Sequence, residues 1–346
     1  MSIKSHSNVI DACFLRKPFA DHVPTAFLEN LHRRADLLHR LRTFFLGYGF
    51  LEVETPILSA DTVVDRHLDP FGVQAASVSH PSPLSPRAPT HWLQTSPEFG
   101  MKRLLAAGAK AIYQVSKVFR RDEIGPLHNP EFTMVEWYRV GDGMKEGIEL
   151  LSDLCEALLG RGPAEPISYR EAFLQYVDID PLAAETQTIV ATVRRLKIGV
   201  PESLPETDRD GWLDLLLVEK IQPHLGRTRP AIIYDFPASQ AALSRIRPED
   251  PPVAERFELY VDGIELANGY HELLDADELR RRNKIANAQR VADGKQPLPE
   301  ESRLLAAMQA GLPPCTGVAL GFDRLVMLAV GAKTLAEVIA FPFDRA

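Results

Sequence analysis

Cysteine is scarce: the 346 residues hold three, Cys13, Cys155 and Cys315, far apart and without metal-ligand spacing. That excludes a disulfide framework and a cysteine–zinc site, and leaves the reduced thiols of a cytosolic protein. No run reaches the ~18 consecutive apolar residues of a membrane span. The opening MSIKSHSNVIDACFL lacks a long apolar stretch before a small-residue cleavage site, so a cytoplasmic location without membrane contact is expected. Basic charge is also in deficit, with 39 Lys and Arg against 47 Asp and Glu and a net charge of -8. Proteins that grip nucleic acid usually present a basic surface. The balance therefore argues against tRNA and for a basic protein partner. Internal repeats and low-complexity tails are absent. What remains is ordinary globular material, 45% hydrophobic and 25% charged, with enough chain for one large core.

Residues 1–24 form a weakly patterned lead-in. From Leu28 the positions Leu31, Ala35, Leu38, Leu41 and Phe45 recur at helical spacing, and Gly47 and Gly49 end the helix. Phe50 to Thr55 then alternates as a strand and stops at Pro56. Residues 77–90 are rich in Ser and Pro and read as a surface loop. Ala111 to Arg120 and Phe132 to Val140 read as strands, and Met144 to Gly160 as a helix. Residues 167–250 show mixed helical patterns. Phe257 to Tyr270 is a hairpin candidate turning at Asp262-Gly263. Residues 275–310 are a charged, mostly helical excursion broken near Pro297. Gly317 to Val330 runs from a Gly-punctuated strand into an apolar helix. Strands joined by hairpins and long excursions predict an α+β fold, a mainly antiparallel sheet flanked by helices.

Four segments carry residues suited to chemistry. In Val118-Phe119-Arg120-Arg121-Asp122-Glu123 and His128-Asn129-Pro130-Glu131-Phe132, an arginine at a strand end suits a phosphate and an aromatic ring suits a base. The same residues also read as a charged surface hairpin. Glu136 and Tyr138 inside an apolar strand favour a site, because buried polar groups need partners. With a turn at Asp262-Gly263, Tyr260 faces Glu265 and Glu258 faces Ala267. Glu258 and Glu265 then stand roughly 7–8 Å apart on one face. Two acids at that range suit a magnesium ion, or are simply solvated. Strict alternation sends Asn268, Tyr270 and Glu272 to the other face. A bulge near Asn268-Gly269, which Gly269 permits, would bring them back. Thr316 to Arg324 sets glycines before a helix, allowing close approach of a ligand with Arg324 reaching a phosphate, though such turns more often serve packing. Thr95-Ser96-Pro97-Glu98 presents a carboxylate, or is a plain helix cap.

Taken together, these segments resemble the three signature motifs of class II aminoacyl-tRNA synthetases over about residues 25–345. The helix from Leu31 and the strand to Pro56 resemble motif 1, the dimer-interface element. Phe119-Arg120 to Phe132 resembles motif 2, and Gly317 to Arg324 motif 3. HNPEFTM at 128–134 and TSPE at 95–98 resemble lysyl-tRNA synthetase in particular. The resemblance implies that catalysis rests on Arg120, at the α-phosphate, and on Arg324. It places Arg121, Asp122, His128, Asn129, Phe132, Glu265, Leu266 and Gly321 around ATP, with Glu258 and Glu265 holding Mg2+. Ser96, Pro97, Glu98, Tyr138, Asn268, Tyr270, Glu272 and Ala319 would line the pocket of a lysine-like substrate.

Three departures refine the likeness. Only 48 residues precede Gly49, too few for the N-terminal OB-fold that reads the anticodon in bacterial lysyl-tRNA synthetases. Ala319 stands where the synthetases have glycine, and Asp122 where motif 2 has glutamate, a place Glu123 is positioned to fill. The chain thus resembles the elongation factor P–lysine ligases, truncated lysyl-tRNA synthetase paralogues. They activate lysine, preferably (R)-β-lysine, with ATP and join it to a lysine ε-amine of elongation factor P. One catalytic domain over 1–346, a homodimer and no anticodon-reading tRNA contact are expected. The rival readings are a free-standing tRNA-aminoacylating enzyme, a non-catalytic synthetase paralogue and an asparagine synthetase of related fold.

Overall fold

The computed structural model of the protein describes residues 22–74 and 91–346. Most of the expected lead-in, Cys13 and the whole Ser/Pro-rich loop at 77–90 lie outside the described residues.

The first helix, α1 (Leu28–Gly47), leads into β1 (Leu51–Glu52), β2 (Leu58–Ser59), β3 (Gly72–Val73) and β4 (His91–Leu93). Then come α2 (Glu98–Ala106), β5 (Ala111–Phe119), β6 (Glu131–Val140) and α3 (Met144–Leu159). The middle of the chain supplies β7 (Glu165–Ser168), α4 (Tyr169–Val177), α5 (Thr186–Arg195), α6 (Arg209–Leu216), β8 (Ala231–Pro237) and β9 (Ile246–Arg247). The rest is β10 (Val253–Val261), β11 (Ile264–His271), α7 (Ala276–Ala292), α8 (Arg303–Gly311), β12 (Cys315–Gly321) and α9 (Phe322–Val330).

The main sheet has the order β1-β5-β6-β12-β11-β10-β8-β7, with β9 against β10. Its centre is antiparallel, and only the edge pairs β1–β5 and β7–β8 are parallel. The α+β expectation and the mainly antiparallel sheet are met. The first strand is shorter than Phe50 to Thr55, because only Leu51 and Glu52 find partners on β5. The 275–310 excursion is two helices, α7 and α8, parted at residues 293–302 as the proline there predicted. Among the described residues, no helix is long and apolar enough to cross a membrane.

One sheet face carries Tyr113, Val135, Trp137, Phe257, Leu259, Val318 and Leu320 into an apolar cluster with α1, α3 and α9. Phe45 of α1 anchors it, its ring 4.4 Å from Tyr113, 5.1 Å from Phe50 and 5.3 Å from Trp137. The buried stripe of α1 is Leu37, Leu41 and Phe45, while Ala35, expected inward, is exposed. The position that continues the stripe is Arg34. Its guanidinium pairs with the buried Asp323 of α9 at 2.5 Å and lies 5.1 Å from the centre of the Phe322 ring. Asp323 also accepts the Thr133 N–H at 2.8 Å, so one carboxylate ties α1, β6 and α9 together. A separate apolar cluster joins α4, α5 and α6 to β8 and the end of β10.

Phe45→Ala should cost about 3–5 kcal/mol through the cavity it opens among three aromatic rings. Urea unfolding followed by tryptophan fluorescence measures the loss.

Candidate active site

The other sheet face is polar, and its composition follows from register. Gln114 pairs with Glu136, Glu136 with Ala319, Ala319 with Asn268, and Asn268 with Glu258, which makes one row across five strands. The next row is Ile112, Tyr138, Gly317, Tyr270 and Arg256. Side chains in register across a sheet project to the same side.

This row corrects the strict pairing expected for the β10–β11 hairpin. The turn is at Asp262-Gly263, both with positive φ, and Tyr260 faces Glu265 as predicted. The register then shifts between Leu259 and Tyr260, so Glu258 faces Asn268 instead of Ala267. The bulge sits at Leu266, nearer the turn than Asn268-Gly269. Leu266 and Ala267 both enter the apolar cluster, and that one-residue slip returns Asn268 and Tyr270 to the face of Glu265. Gly269 has a different reason: a Cβ there would stand 2.4 Å from the Phe257 ring.

One end of the polar face gathers carboxylates. Ser96, just before α2, accepts the Glu98 N–H at 3.0 Å and donates to Glu136 at 2.6 Å, and the Tyr138 hydroxyl donates to the other Glu136 oxygen at 2.6 Å. Pro97 is the N-cap that lets Glu98 open α2. Glu272 is 1% exposed. Between Glu98 and Glu272 lies the ammonium of Lys102, bonded to Glu98 and 2.5 Å from Glu272 Oε2. Burial, with the charge of Glu98 adding to it, pushes Glu136 up to about 7. Burial also raises Glu272, against the pull of Lys102. Burial pulls the Lys102 pKa down, but Glu272 and Glu98 outweigh that and hold it well above the ordinary range.

The other end gathers arginines and the second acidic pair. Glu258 accepts bonds from Arg256 and the Tyr260 hydroxyl. Glu265 is pushed up to about 7 by burial and by Glu258, and Arg324, Arg256 and Arg120 oppose that shift. Arg324 donates to the carbonyls of Leu127 (3.1 Å) and Glu265 (2.9 Å) and lies 2.8 Å from His128 Nε2. Burial and the Arg324 charge lower the His128 pKa. Arg120 lies 5.2 Å from the centre of the Phe132 ring. Of the two acids after it, Glu123 comes to Arg120, at 3.7 Å, while Arg121 and Asp122 pair with each other and stay exposed. Asn129 is buried and committed to backbone: it donates to the Glu131 carbonyl at 2.5 Å and accepts the Phe343 N–H at 2.9 Å. Leu266 turns its side chain to the apolar side.

The predicted residues therefore share one surface, except that Arg121, Asp122 and the side chains of Leu266 and Asn129 stand off it or are already engaged. The predictions missed Lys102 and Arg256, whose sequence contexts look like a routine helix pair and a strand charge. Asn268 Oδ1, Arg120 Nε and Arg256 Nε are buried without a hydrogen-bond partner among the described residues. Polar atoms left so cost about 1–3 kcal/mol each, and a bound ligand relieves that. Two carboxylates beside arginines fit Mg2+ held with a nucleotide's phosphates, since magnesium is bound by one or two carboxylates plus substrate oxygens.

A family model, tRNA synthetases class II (D, K and N), matches residues 12–345. The chain belongs to that family. Curated relatives match over nearly its full length. The elongation factor P--(R)-beta-lysine ligase of Klebsiella pneumoniae (strain 342) is 48% identical over 323 residues, 93% of this chain and 98% of its own. Its namesake in Hamiltonella defensa is 47% identical over 328 residues, 94% and 99% of the two chains. That of Proteus mirabilis (strain HI4320) is 47% identical over 327 residues, again 94% and 99%.

Two glycines of the third class II motif differ in what demands them. A Cβ at Gly321 would meet nothing closer than 3.8 Å. At Gly317 it would stand 2.2 Å from the Tyr138 ring and 2.3 Å from Glu272 Oε1. Gly317→Ala should therefore cost about 1–3 kcal/mol of stability by overpacking, and Gly321→Ala less than about 1. Parallel urea titrations of the two variants test the contrast.

Proposed function

We propose that the chain activates (R)-β-lysine, or lysine, with ATP as an aminoacyl-adenylate and transfers it to the ε-amine of a lysine on elongation factor P. The observation that carries this is the polarity of one sheet face, with carboxylates at one end and arginines at the other. A diamino acid has the complementary polarity, ammonium groups at one end and a carboxylate that must meet a phosphate at the other. The ligase name borne by relatives at 47–48% identity supports the same reading.

Glu98 and Glu136 would take the α- or β-ammonium, and Glu272 with Tyr138 the distal one. Asn268, Tyr270, Ser96, Pro97 and Ala319 line the space between. Ala319 stands in register between Glu136 and Asn268, where its methyl group would meet the carbon that bears the amine. Moving the amine from the α to the β carbon changes what fits there, a difference of roughly 1–3 kcal/mol. The substrate carboxylate attacks the α-phosphorus of ATP in line and pyrophosphate leaves. Arg120 stabilises the charge that builds on the phosphate, Phe132 packs on adenine, and His128 and Arg324 reach the outer phosphates. Mg2+ held by Glu258 and Glu265 would neutralise phosphate charge when bound. A neutral lysine amine of the acceptor then attacks the acyl carbon and AMP departs. Positioning suffices for this step because the adenylate is already reactive.

We read the chain as one catalytic domain. It pairs with a second copy through α1 and β1, where Phe27, Leu28, Leu46 and Leu51 are 60–75% exposed.

The deciding experiment supplies ATP, α- or β-lysine, and either elongation factor P or tRNA, followed by mass spectrometry of both acceptors. A lysyl adduct on elongation factor P is expected; charged tRNA with unmodified factor overturns the reading. Glu258→Gln should cut lysine-dependent ATP–pyrophosphate exchange about a hundredfold, the ~3 kcal/mol of a lost metal ligand. Ala319→Gly should shift preference towards α-lysine about tenfold, read from kcat/KM for the two isomers.

A further inference from the structure

The pocket already contains one ammonium of its own. Lys102 follows Glu98 by four residues on α2, a spacing that on most helices makes a solvated pair worth little. Here it is neither solvated nor simply paired. Lys102 is 2% exposed and joins Glu98 to Glu272, which the fold brings in from just past the end of β11, and its Nζ lies 5.9 Å from the centre of the Tyr138 ring. The two oxygens of Glu272 are divided: Oε2 meets Lys102, while Oε1 points at the backbone of Gly317, where a Cβ would approach it to 2.3 Å.

We propose that Lys102 is a specificity-determining positioning residue: its fixed ammonium leaves the pocket matched to two substrate ammonium groups. This rests on the diamino-acid reading above. Glu98 and Glu272 contact the one resident cation, and Glu136, bonded to Ser96 and Tyr138, lies near enough for its charge to act on Glu272. When a cationic substrate holds all three ionised, three negative charges and one positive leave two to be balanced, which is what a diamino acid supplies. A monoamine leaves one buried carboxylate uncompensated, which costs several kcal/mol or takes up a proton. In the empty pocket burial, with the Glu98 charge adding to it, raises both Glu136 and Glu272.

Without Lys102 all three carboxylates would face the substrate. The cheapest relief is a proton, and Glu272, the deepest, is the group that takes it. A protonated Glu272 no longer pairs with the distal ammonium. The other groups facing this cluster are the Tyr138 and Tyr270 hydroxyls, the Cys315 thiol and Arg245, whose Nε donates to the Glu272 carbonyl at 3.0 Å. The tyrosines and the thiol are all pushed upward by burial and stay neutral through pH 9, so they do not supply the missing charge. Arg245 is held on backbone and, among the described residues, turns no donor to the Glu272 carboxylate.

The test uses Lys102→Gln, which keeps a hydrogen-bond donor, and Lys102→Met beside it. ATP–pyrophosphate exchange with β-lysine is measured from pH 6.5 to 9. At pH 7 the KM for β-lysine should rise at least about tenfold in both variants, with kcat changed less and the KM for ATP within about twofold. The ratio of variant to wild-type KM should narrow as pH rises and Glu272 ionises. Discrimination against 6-aminohexanoate, which has one ammonium, should fall in the same variants. An unchanged KM for β-lysine in the Gln variant overturns the proposal. A pH-independent ratio with an equal rise in the KM for ATP overturns it too, since Lys102 would then be only a structural pair. A wild-type chain that shows no diamino-acid-dependent exchange sinks the functional reading instead.

Discussion

The slip of one residue at Leu266 decides which side of the sheet Asn268 and Tyr270 occupy. Without it, they would be pushed among the rings and methyls packed under α1, α3 and α9, where polar groups have no partners. Two apolar neighbours hold the slip in place, because Leu266 and Ala267 both bury on the helix side while Phe257 covers Gly269. Burial of roughly a side chain's worth of apolar area on that side stabilises the irregular strand by a few kcal/mol. The polar surface opposite is assembled by the packing of the apolar one.

That polar surface is an electrostatic gradient. Carboxylates outnumber cations around Lys102, and arginines crowd around Glu265 at the other end. In the empty protein both ends are costly: acids are pushed towards protonation, and Asn268, Arg120 and Arg256 each leave a buried atom unbonded. Sites prepared for charged ligands carry such costs, and the rest of the fold offsets them. Here the offset comes from the aromatic cluster around Phe45, beside which Arg34 pairs with the buried Asp323. That pair fixes α9, and with it Arg324, against the first helix.

The middle of the chain, residues 167–250, showed little in sequence but has a clear structural place. Its helices α4, α5 and α6 pack on β8 and bury Tyr260, the residue whose hydroxyl binds Glu258. The Phe236 ring of β8 lies 4.5 Å from the Arg256 guanidinium. These residues brace the arginine-rich end from the side, as α2, α7 and α8 brace the carboxylate end through their own apolar cluster.

The sequence by itself determined α1, β5, β6, α3, the β10–β11 hairpin and the β12–α9 segment, because helical and strand periodicity, Asp262-Gly263 and the glycines before α9 are local signals. It also marked Glu136 and Tyr138, whose polarity inside an apolar strand stands out without reference to distant residues, while Arg120, Glu258 and Glu265 are singled out through the likeness to class II motifs. Only the tertiary structure decided the rest. Lys102 reads as one half of a routine helix pair until Glu272, 170 positions later, arrives beside it. Asn129 reads as a ligand contact until the backbone of Phe343 claims its oxygen. The bulge at Leu266 depends on which of two consecutive apolar residues the facing helices accept. In each case the deciding energy is a contact between segments far apart in the chain, and local periodicity carries no information about it.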